Sequence, residues 1–213
     1  MLYKSFKYDT TEFPFKEVVR DIMDVGNLEQ AHKDFKFPHK LETMKDQNTI
    51  LHDRFYKAMR EPDFSQLYNK FIIEFISKMF DESVLFQKFP SFRVHQPDNV
   101  AVGEFHRDSD FGHDTHEVNF WLPFTDAYET NTVWIEDPIT KKIEAMEVEY
   151  GNVARFDGAN LNHGNKTNKT GKTRMSIDFR IFARRYYKSD IQEAKETITQ
   201  KKKLIIGDYW AEI

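Results

Sequence analysis

The chain has 213 residues, a formal net charge of −4 at pH 7, 39% hydrophobic residues and no cysteine. Its length favours a single domain over residues 1–213, and the lack of cysteine excludes disulfide bonds, thiolate nucleophiles and thiolate metal sites. The mildly acidic charge, without an extended basic block, disfavours nucleic acid and an anionic membrane surface as partners.

Residues 1–88 are predicted to be mainly helical and to pack against a sheet as a buttress. Pro14 suits the first turn of a first helix, and Gly26 suits its end. The helix itself is indicated by apolar residues at the spacing of an amphipathic helix, namely Phe15, Val18, Val19, Ile22 and Met23.

A connection and two more helices are predicted to follow. Residues 27–48 carry few periodic cues and are expected to form a long, charged connection. Helical spacing resumes over 50–59 and is strongest over 65–80, where Phe, Leu, Ile and Met residues form a broad stripe. Asp63 or Ser65 is the expected cap of the second of these helices.

From residue 89 the pattern changes to short strands bounded by Pro, Gly, Asp or Asn. Since no helix separates these strands, they indicate an antiparallel sandwich or barrel. A polar loop at 158–172 contains His163, and a charged helix is predicted at 190–203, before an apolar tail. The predicted strands cover 89–96, 102–106, 116–124, 131–136, 143–150, 153–157 and 173–182.

The first candidate site is the stretch around His106 and Asp108. Residues i and i+2 of an extended strand project from one face, so both side chains can reach one point. With an imidazole from a neighbouring strand, they would form the set of two histidines and one carboxylate that is typical of non-haem Fe(II) oxygenases. On its own, the His-x-Asp pair is weak evidence, because it recurs by chance and is more often part of an ordinary surface loop.

The last predicted strand has an apolar and a polar face. In an antiparallel sheet the polar face usually meets solvent, but in a barrel it can line a cavity. In the second case Arg174 and Ser176 would bind a carboxylate, because the guanidinium fork matches its two oxygens and the hydroxyl adds a hydrogen bond. The apolar face carries Met175, Ile177, Phe179 and Ile181, and the polar face carries Arg174, Ser176, Asp178 and Arg180.

In this order and at these separations, the motifs His106-x-Asp108, His163 and Arg174-x-Ser176 resemble the Fe(II)/2-oxoglutarate-dependent oxygenases of the double-stranded β-helix fold. The resemblance is nearest to the phytanoyl-hydroxylase-like group, in particular to members found with streptomycin-type and surface-sugar biosynthesis. It covers about residues 92–183 and is clearest in the runs 106–110, 118–123 and 176–180.

The strand and helix patterns, together with the resemblance, predict a mainly β fold with flanking helices. Its core would be a double-stranded β-helix, a jelly-roll or cupin-like barrel, over residues 89–185. Residues 1–88 would buttress this core, and residues 186–213 would form a C-terminal helix and tail.

The resemblance also implies the roles of five residues. His106, Asp108 and His163 would be the ligands of catalytic iron. Arg174 would bind the distal carboxylate of 2-oxoglutarate together with Ser176. The implied cofactors are therefore Fe(II) and, as cosubstrate, 2-oxoglutarate.

Four polar or aromatic residues near the motif have two interpretations each. Asn119 follows the motif on the polar face of its strand, where it would meet the cosubstrate or act as an ordinary sheet-edge amide. Trp121 shares that face and would be a pocket wall or a core residue. His113 and His116 are spaced too far from Asp108 to share its strand, which favours a substrate-facing loop or the surface over the metal.

Two arginines are further candidates for substrate contact. Arg180 would meet an anionic substrate, or pair with Asp178 or another neighbouring acid. Arg93 alternates with His95 on an early strand, and both are candidate cavity residues.

The function expected from the resemblance is that of a dioxygenase that hydroxylates a small polar metabolite or a sugar or cyclitol derivative, using O2 and releasing succinate and CO2. One alternative is a cupin-like metal-dependent isomerase or lyase, which would not need Arg174. Another is a non-catalytic ligand-binding β-sandwich.

Cytoplasm is the expected location, because the chain has neither an apolar leader nor a membrane-length apolar run. The sequence leaves the oligomeric state open.

Overall fold

The computed structural model describes residues 1–35, 49–101, 104–188, 195–197 and 201–213. Its helices are α1 (Phe15–Met23), α2 (Ala31–Asp34), α3 (Ile50–Ala58) and α4 (Pro62–Phe71). Helix α4 continues through a π-helical turn, Ile72–Ile76, and a 3-10 turn, Ser77–Met79. The strands are β1 (Tyr3–Lys7), β2 (Val84–Gln87), β3 (Ser91–His95), β4 (Val118–Pro123), β5 (Val133–Glu136), β6 (Ile143–Met146), β7 (Asn152–Phe156), β8 (His163–Asn165), β9 (Arg174–Ala183) and β10 (Trp210–Glu212).

The strands form two antiparallel sheets. The larger sheet has the order β1-β7-β4-β9-β2-β10, with β3 also paired to β9, and the smaller has the order β6-β5-β8. A bridge between His106 and His163 adds residue 106 to the smaller sheet beside β8. From β3 onwards the chain alternates between the sheets, because β3, β4, β7 and β9 lie in the larger one and residue 106, β5, β6 and β8 in the smaller. This alternation is the topology of a double-stranded β-helix, and it confirms the predicted fold class.

The helices pack on the outer face of the larger sheet. In α1, Phe15, Val19 and Met23 are buried at a spacing of four residues, as the amphipathic pattern predicts. The apolar face of β9 joins them in one core, and aromatic pairs dominate this layer. Phe55 of α3 stacks on Phe92 of β3 with ring centroids 4.3 Å apart, an arrangement that adds about 0.5–1.5 kcal/mol to the burial of the rings.

The space between the two sheets is partly apolar and partly polar. A small cluster joins the sheets through Trp121 and Phe156 of the larger sheet and Val133 and Ile135 of the smaller one. The polar face of β9 points into the same space, since Ser176 accepts a hydrogen bond from the indole of Trp121. The polar face therefore lines the interior of the sandwich, which decides the question that the sequence leaves open.

Two strands lie in the segment predicted to be helical. Strand β1 pairs with β7, and β2 pairs with β9. All four residues of β2 are buried, so the strand lacks the alternation of buried and exposed residues by which strands are recognised. In the predicted connection, α2 and a 3-10 turn at Leu28–Gln30 form, while 36–48 lie outside the described residues.

The predicted helix ends differ in two places. Helix α1 ends at Asp24, which has a left-handed φ of 52°, and not at Gly26. Helix α4 begins at Pro62, so neither Asp63 nor Ser65 is its cap. Proline is favoured at the first position of a helix, because its missing N–H has no partner to lose there.

The predicted C-terminal helix does not form in the described part of 190–203. Glu196 and Lys203 instead form an antiparallel bridge. Lys201 has a φ of 53° and turns the chain. The β-branched residues Thr197, Ile198 and Thr199 oppose a helix in this stretch, although 189–194 and 198–200 lie outside the described residues.

Within the described residues, no helix is both long and apolar enough to cross a bilayer.

Candidate metal centre

His106, Asp108 and His163 converge between the two sheets. Asp108 Oδ1 lies 3.6 Å from His106 Nε2 and 3.9 Å from His163 Nε2. One ligand atom from each residue lies within 4.8 Å of the other two. These separations exceed hydrogen-bond lengths and suit an ion in contact with all three groups. The carboxylate is buried, whereas the side chains of His106 and His163 are 24% and 12% exposed, so the group opens to solvent on the imidazole side.

The backbone holds the two histidines side by side. His106 N donates to His163 O at 3.0 Å, and His163 N donates to His106 O at 2.9 Å. Arg107 is extended, with φ −107° and ψ 142°, so Asp108 turns to the same side as His106, as the spacing predicts. Asp108 then begins a 3-10 turn, Asp108–Phe111, and does not continue a strand, because the Asp110 carboxylate caps the turn by accepting from Arg107 N.

Each imidazole is oriented by a backbone carbonyl. His106 Nδ1 donates to Glu104 O at 2.9 Å, and His163 Nδ1 donates to Leu161 O at 3.0 Å. In the neutral ring, the Nε2 lone pair that faces Asp108 is then free to bind a metal. Burial lowers the pKa of His163, in spite of the nearby Asp108 carboxylate. At His106 the effect of burial is outweighed by the neighbouring Asp108 carboxylate and the Glu104 carbonyl, which raise its pKa.

The second oxygen of Asp108 is fully engaged by the larger sheet. Arg180 donates to Oδ2 from Nε at 2.9 Å and from Nη2 at 2.7 Å. Asn119 Nδ2 adds a third hydrogen bond at 2.7 Å. Burial alone would raise the pKa of Asp108, but the charge of Arg180 and the neighbouring imidazoles hold it well below its usual range. Asp108 is therefore ionised, with Oδ1 directed at the histidines.

A second cluster surrounds Arg174 on the inner face of β9. The Arg174 side chain is buried, and its Nη1 donates to Ser176 Oγ at 2.8 Å. Its Nε donates to Asn131 O at 3.0 Å, and Nη2 donates to Asn165 Oδ1 at 3.1 Å. The guanidinium also lies over the Trp121 ring, 5.4 Å from the centroid. The structure thus places Arg174 and Ser176 together in the interior, as the cavity interpretation of β9 requires.

His95 lies beside Arg174 and is fully buried. Its Nε2 donates to Asn99 O at 2.9 Å. Burial and the Arg174 charge lower the pKa of His95 to about 3. The ring is therefore neutral at pH 7 and leaves the positive charge of this cluster to Arg174.

The two candidate arginines have different surroundings. Arg180 pairs with a neighbouring acid, as one of its two interpretations proposes, and that acid is Asp108 itself. Arg93 opposes Ser176 in the register of β3 and β9, so both side chains lie on the inner face. Its Nε donates to Asp178 Oδ1 at 2.8 Å, and its side chain is 23% exposed. Arg93 is thus a partly accessible cation of the interior, whereas Arg180 is enclosed.

The two loop histidines do not join the metal ligands. His113 Nδ1 bonds Glu117 Oε2 at 2.8 Å, in a pair that is almost fully buried. His116 bonds Asp114 at 2.8 Å and stacks on Tyr186 with centroids 3.9 Å apart. The side chain of His116 is 50% exposed, in agreement with a position on the surface or in a substrate-facing loop. His113 is thus paired with Glu117, and its contact with a substrate remains a prediction.

A cleft of about 720 Å³ opens beside His106. It is lined by both charges and apolar side chains, among them Glu104, Phe111, Glu136 and Leu161. The Phe111 ring is half exposed and meets the His106 ring edge-on at 5.2 Å. The volume matches that of sites for small molecules.

The chain is 38% identical to the streptomycin biosynthesis protein StrG of Streptomyces griseus over 208 residues, which are 98% of the chain and 97% of StrG. The chain belongs to the StrG family. This confirms the sequence-based likeness to streptomycin-type proteins. No protein-family model matches the chain.

Two solved structures are also similar to this member of the StrG family. One is the apo form of ThoJ, described as a non-heme monooxygenase, with 11% identity, 85% of this chain and 74% of ThoJ covered, and a TM-score of 0.49. The other is SnoN, a non-heme alpha-ketoglutarate-dependent epimerase of nogalamycin biosynthesis, with 11% identity, coverages of 85% and 78%, and a TM-score of 0.49. Likenesses this weak carry no weight for function.

Sequence reasoning misses several residues around the centre of this StrG relative. Asn165 follows His163 by two residues on β8, so the alternation that joins His106 to Asp108 also predicts its direction. Gln87 and Tyr209 both accept from Arg180, but they lie 93 and 29 residues away from it in sequence. No local pattern in the sequence connects such distant residues.

Proposed function

We propose that the chain is an Fe(II)- and 2-oxoglutarate-dependent dioxygenase. The observation that carries the proposal is the convergence of His106, Asp108 and His163 in a sandwich whose interior also holds Arg174 and Ser176. A cupin-like isomerase or lyase would need only the metal ligands His106, Asp108 and His163. The pairing of both groups in one interior therefore favours the dioxygenase.

The donor set suits ferrous iron. Two imidazole nitrogens and one carboxylate oxygen on one side of an ion leave further coordination positions open, which is the pattern of non-haem Fe(II) oxygenases. His106 and His163 are held in the correct tautomer by carbonyls, and Asp108 is ionised before any metal arrives. Iron held by these three residues would supply oxygen activation, and 2-oxoglutarate would supply the electrons and be converted to succinate and CO2.

The cluster around Arg174 suits a carboxylate. Hydrogen bonds to Asn131, Asn165 and Ser176 fix the orientation of its guanidinium over the indole of Trp121. A carboxylate bound beside this cluster would meet a planar cation whose orientation is already fixed. We assign the distal carboxylate of 2-oxoglutarate to Arg174 and Ser176. Neutral His95 and the Trp121 ring would exclude water from the pair, and Asn119 would act on the metal side by orienting Asp108.

The proposed substrate is a small polar metabolite or a sugar or cyclitol derivative. The cleft beside His106 has the size of such a molecule and combines carboxylates with an aromatic ring and an amide. Arg93, partly exposed on the inner face, is the candidate side chain for polar substrate groups. The role of the relative StrG in streptomycin biosynthesis, which its name states, agrees with a sugar-derived substrate.

The test is the turnover of the purified chain with Fe(II), 2-oxoglutarate and O2. A panel of sugars, cyclitols, amino acids and one fatty acyl compound is added, and succinate and the oxidised product are quantified. We expect one or more polar compounds to stimulate succinate formation, chelation to abolish it, and Fe(II) to restore it. Full activity after chelation and dialysis would exclude iron, and stimulation by the acyl compound alone would exclude the substrate class.

A further inference from the structure

The support of Asp108 extends beyond the side chains that contact it. Arg180 uses Nε and Nη2 for Asp108, and its third nitrogen, Nη1, donates to Gln87 Oε1 at 3.3 Å and to Tyr209 OH at 3.2 Å. The Gln87 amide is held in turn, because its Nε2 donates to Phe89 O at 2.7 Å. The guanidinium is therefore hydrogen-bonded to Asp108 on one side and to Gln87 and Tyr209 on the other.

Tyr209 belongs to the C-terminal segment, directly before β10. Its side chain is buried, and its ring packs edge-on against Trp210 with centroids 4.7 Å apart. Strand β10 pairs with β2, where Trp210 opposes Gln87. The same strand pair thus delivers both oxygen acceptors to Arg180.

We propose that Gln87 and Tyr209 are positioning residues of the metal centre. They hold Arg180 so that its fork binds Asp108 Oδ2, and this leaves Oδ1 as the single oxygen presented to the metal. The inference rests on the proposed function, since it assigns these two residues to the metal site described there. It makes the C-terminal segment part of the machinery, although neither residue contacts the metal ligands directly.

The physical reason lies in the freedom of a carboxylate. An unrestrained carboxylate rotates about its Cβ–Cγ bond and presents either oxygen, or both, to an ion. Three donors on Oδ2 of Asp108 remove that freedom before the metal binds. The positive charge of Arg180 acts in the opposite direction, because it weakens the attraction of Asp108 for a cation. Only variants that keep this charge can separate the effect of the carboxylate's orientation from the effect of the Arg180 charge.

Two variants meet that condition, and the chain offers a matched control. Arg180→Lys keeps the charge and loses the fork, and Tyr209→Phe removes only the hydroxyl. Tyr187→Phe is the control. It also removes one hydroxyl, from a tyrosine that packs on the same cluster of side chains as Tyr209. The Tyr187 OH accepts from Ile206 N at 3.0 Å and does not contact Arg180. All three are compared with the wild type as full-length, metal-free protein.

The measurement is the Kd of Mn2+ by calorimetry, with the unfolding midpoint of each metal-free protein beside it. We expect Arg180→Lys to raise the Kd about tenfold to a hundredfold, the usual effect of losing a partner of a metal ligand. Tyr209→Phe should raise it about twofold to tenfold, as for one hydrogen bond. Tyr187→Phe should leave the Kd unchanged, whatever its effect on the unfolding midpoint.

A further variant covers the case in which Arg180→Lys does not fold. Asn119→Ala removes another donor from the same oxygen and should raise the Kd in the same way. The inference is overturned if Tyr209→Phe binds Mn2+ as tightly as the wild type, or if Tyr187→Phe weakens binding equally. Failure of the proposed function looks different, because the wild type would then bind Mn2+ without any 2-oxoglutarate-dependent turnover, or would bind no Mn2+ at all.

Discussion

The two oxygens of Asp108 have separate partners, and this distinguishes Asp108 from the two histidines. Oδ2 completes a buried ion pair with Arg180, and Oδ1 faces His106 and His163. The sequence treats the three residues alike, as metal ligands. The structure predicts different consequences for the stability of the metal-free protein.

Asp108→Ala should destabilise the metal-free protein by about 3–5 kcal/mol, because it leaves the Arg180 charge buried without its partner. His106→Ala should cost far less, since that side chain is partly exposed and makes one hydrogen bond to a carbonyl. Urea unfolding of the metal-free variants measures the difference. Asp108→Asn, which keeps the shape and one acceptor, should fall between them. Equal losses for Asp108→Ala and His106→Ala would contradict the ion-pair argument.

Arg174 carries the second prediction at this scale. If it binds the distal carboxylate, Arg174→Ala should weaken 2-oxoglutarate binding by about 2–5 kcal/mol, roughly thirtyfold to several-thousandfold. Arg174→Lys should recover part of the loss, because an ammonium lacks the planar fork. Calorimetry with Mn2+-loaded protein measures the affinity, and the Kd of Mn2+ itself should stay near the wild-type value. Unchanged 2-oxoglutarate affinity in Arg174→Ala would remove the assignment.

The roles of single residues follow from the sequence only where neighbours in the chain are also neighbours in space. The alternation on β9 predicts that Arg174, Ser176 and Arg180 share a face, and the structure confirms it. It does not predict that Arg180 binds Asp108, because 72 residues separate the two. Ion pairs of this kind depend on how strands are ordered in the sheet, which no local pattern encodes.

At the scale of elements, the turn after β7 is a structural constraint on the metal centre. Gly158 O accepts from Asp108 N at 3.0 Å. A Cβ at Gly158 would lie 2.7 Å from the Asn119 side chain, which real Cβ contacts do not reach. Only glycine lets this turn approach the amide that holds Asp108.

Gly158→Ala should therefore displace Asn119 and raise the Kd of Mn2+ about tenfold or more, by the loss of one support of Asp108. Gly26→Ala is the matched control, since a Cβ there meets no atom within 4 Å. It should leave metal binding unchanged. Calorimetry of the two variants, with unfolding curves of the metal-free proteins, makes the comparison. Wild-type affinity in Gly158→Ala would mean that Asn119 adjusts without moving Asp108.

Elements with a clear period are predicted well, and those without one are not. The spacing of Phe15, Val19 and Met23 predicts α1, and the alternation along β4 and β9 predicts both strands. Strand β2 is buried on both faces and shows no alternation. The charged residues of 190–203 suggest a helix, but the described part of this stretch contains a bridge between Glu196 and Lys203. Pairing with distant segments decides such cases.

At the scale of the whole molecule, two buried histidines link folding to pH. Burial lowers the pKa of His95 to about 3 and that of His52 to about 4. In the unfolded chain each returns to about 6.5. Below about pH 6.5 the unfolded chain therefore binds protons that the folded chain does not bind, and the free energy of unfolding falls as the pH is lowered.

We expect the free energy of unfolding to decrease from about pH 6.5 towards pH 4, with a slope of up to about 1.4 kcal/mol per pH unit for each of the two histidines. The double variant His52→Gln/His95→Gln should flatten this decrease. His116→Gln, at a half-exposed site, should not. Urea unfolding at a series of pH values tests the expectation. An unchanged slope in the double variant would assign the acid sensitivity to other groups.

The order of motifs along the chain predicts the overall fold better than any single element does. The motif order carries the resemblance and so implies two facing sheets with a site between them. In the structure His106 and His163 lie in the smaller sheet and Arg174 lies in the larger one. The ends of the chain escape this reasoning. Strands β1 and β10 lie outside the motif region, and only the structure reveals that they extend the larger sheet.

The position of these two strands has a consequence for the protein in concentrated solution. Strands β1 and β10 stand at the two ends of the strand order of the larger sheet. Exposed sheet edges offer unpaired backbone groups with which a strand of another molecule can pair, and short edge strands limit such pairing. With five residues in β1 and three in β10, the outermost strands of this sheet give a second copy little length to pair with. Loss of β1 would uncover β7, and loss of β10 would uncover β2. We expect self-association to be the first consequence of either loss.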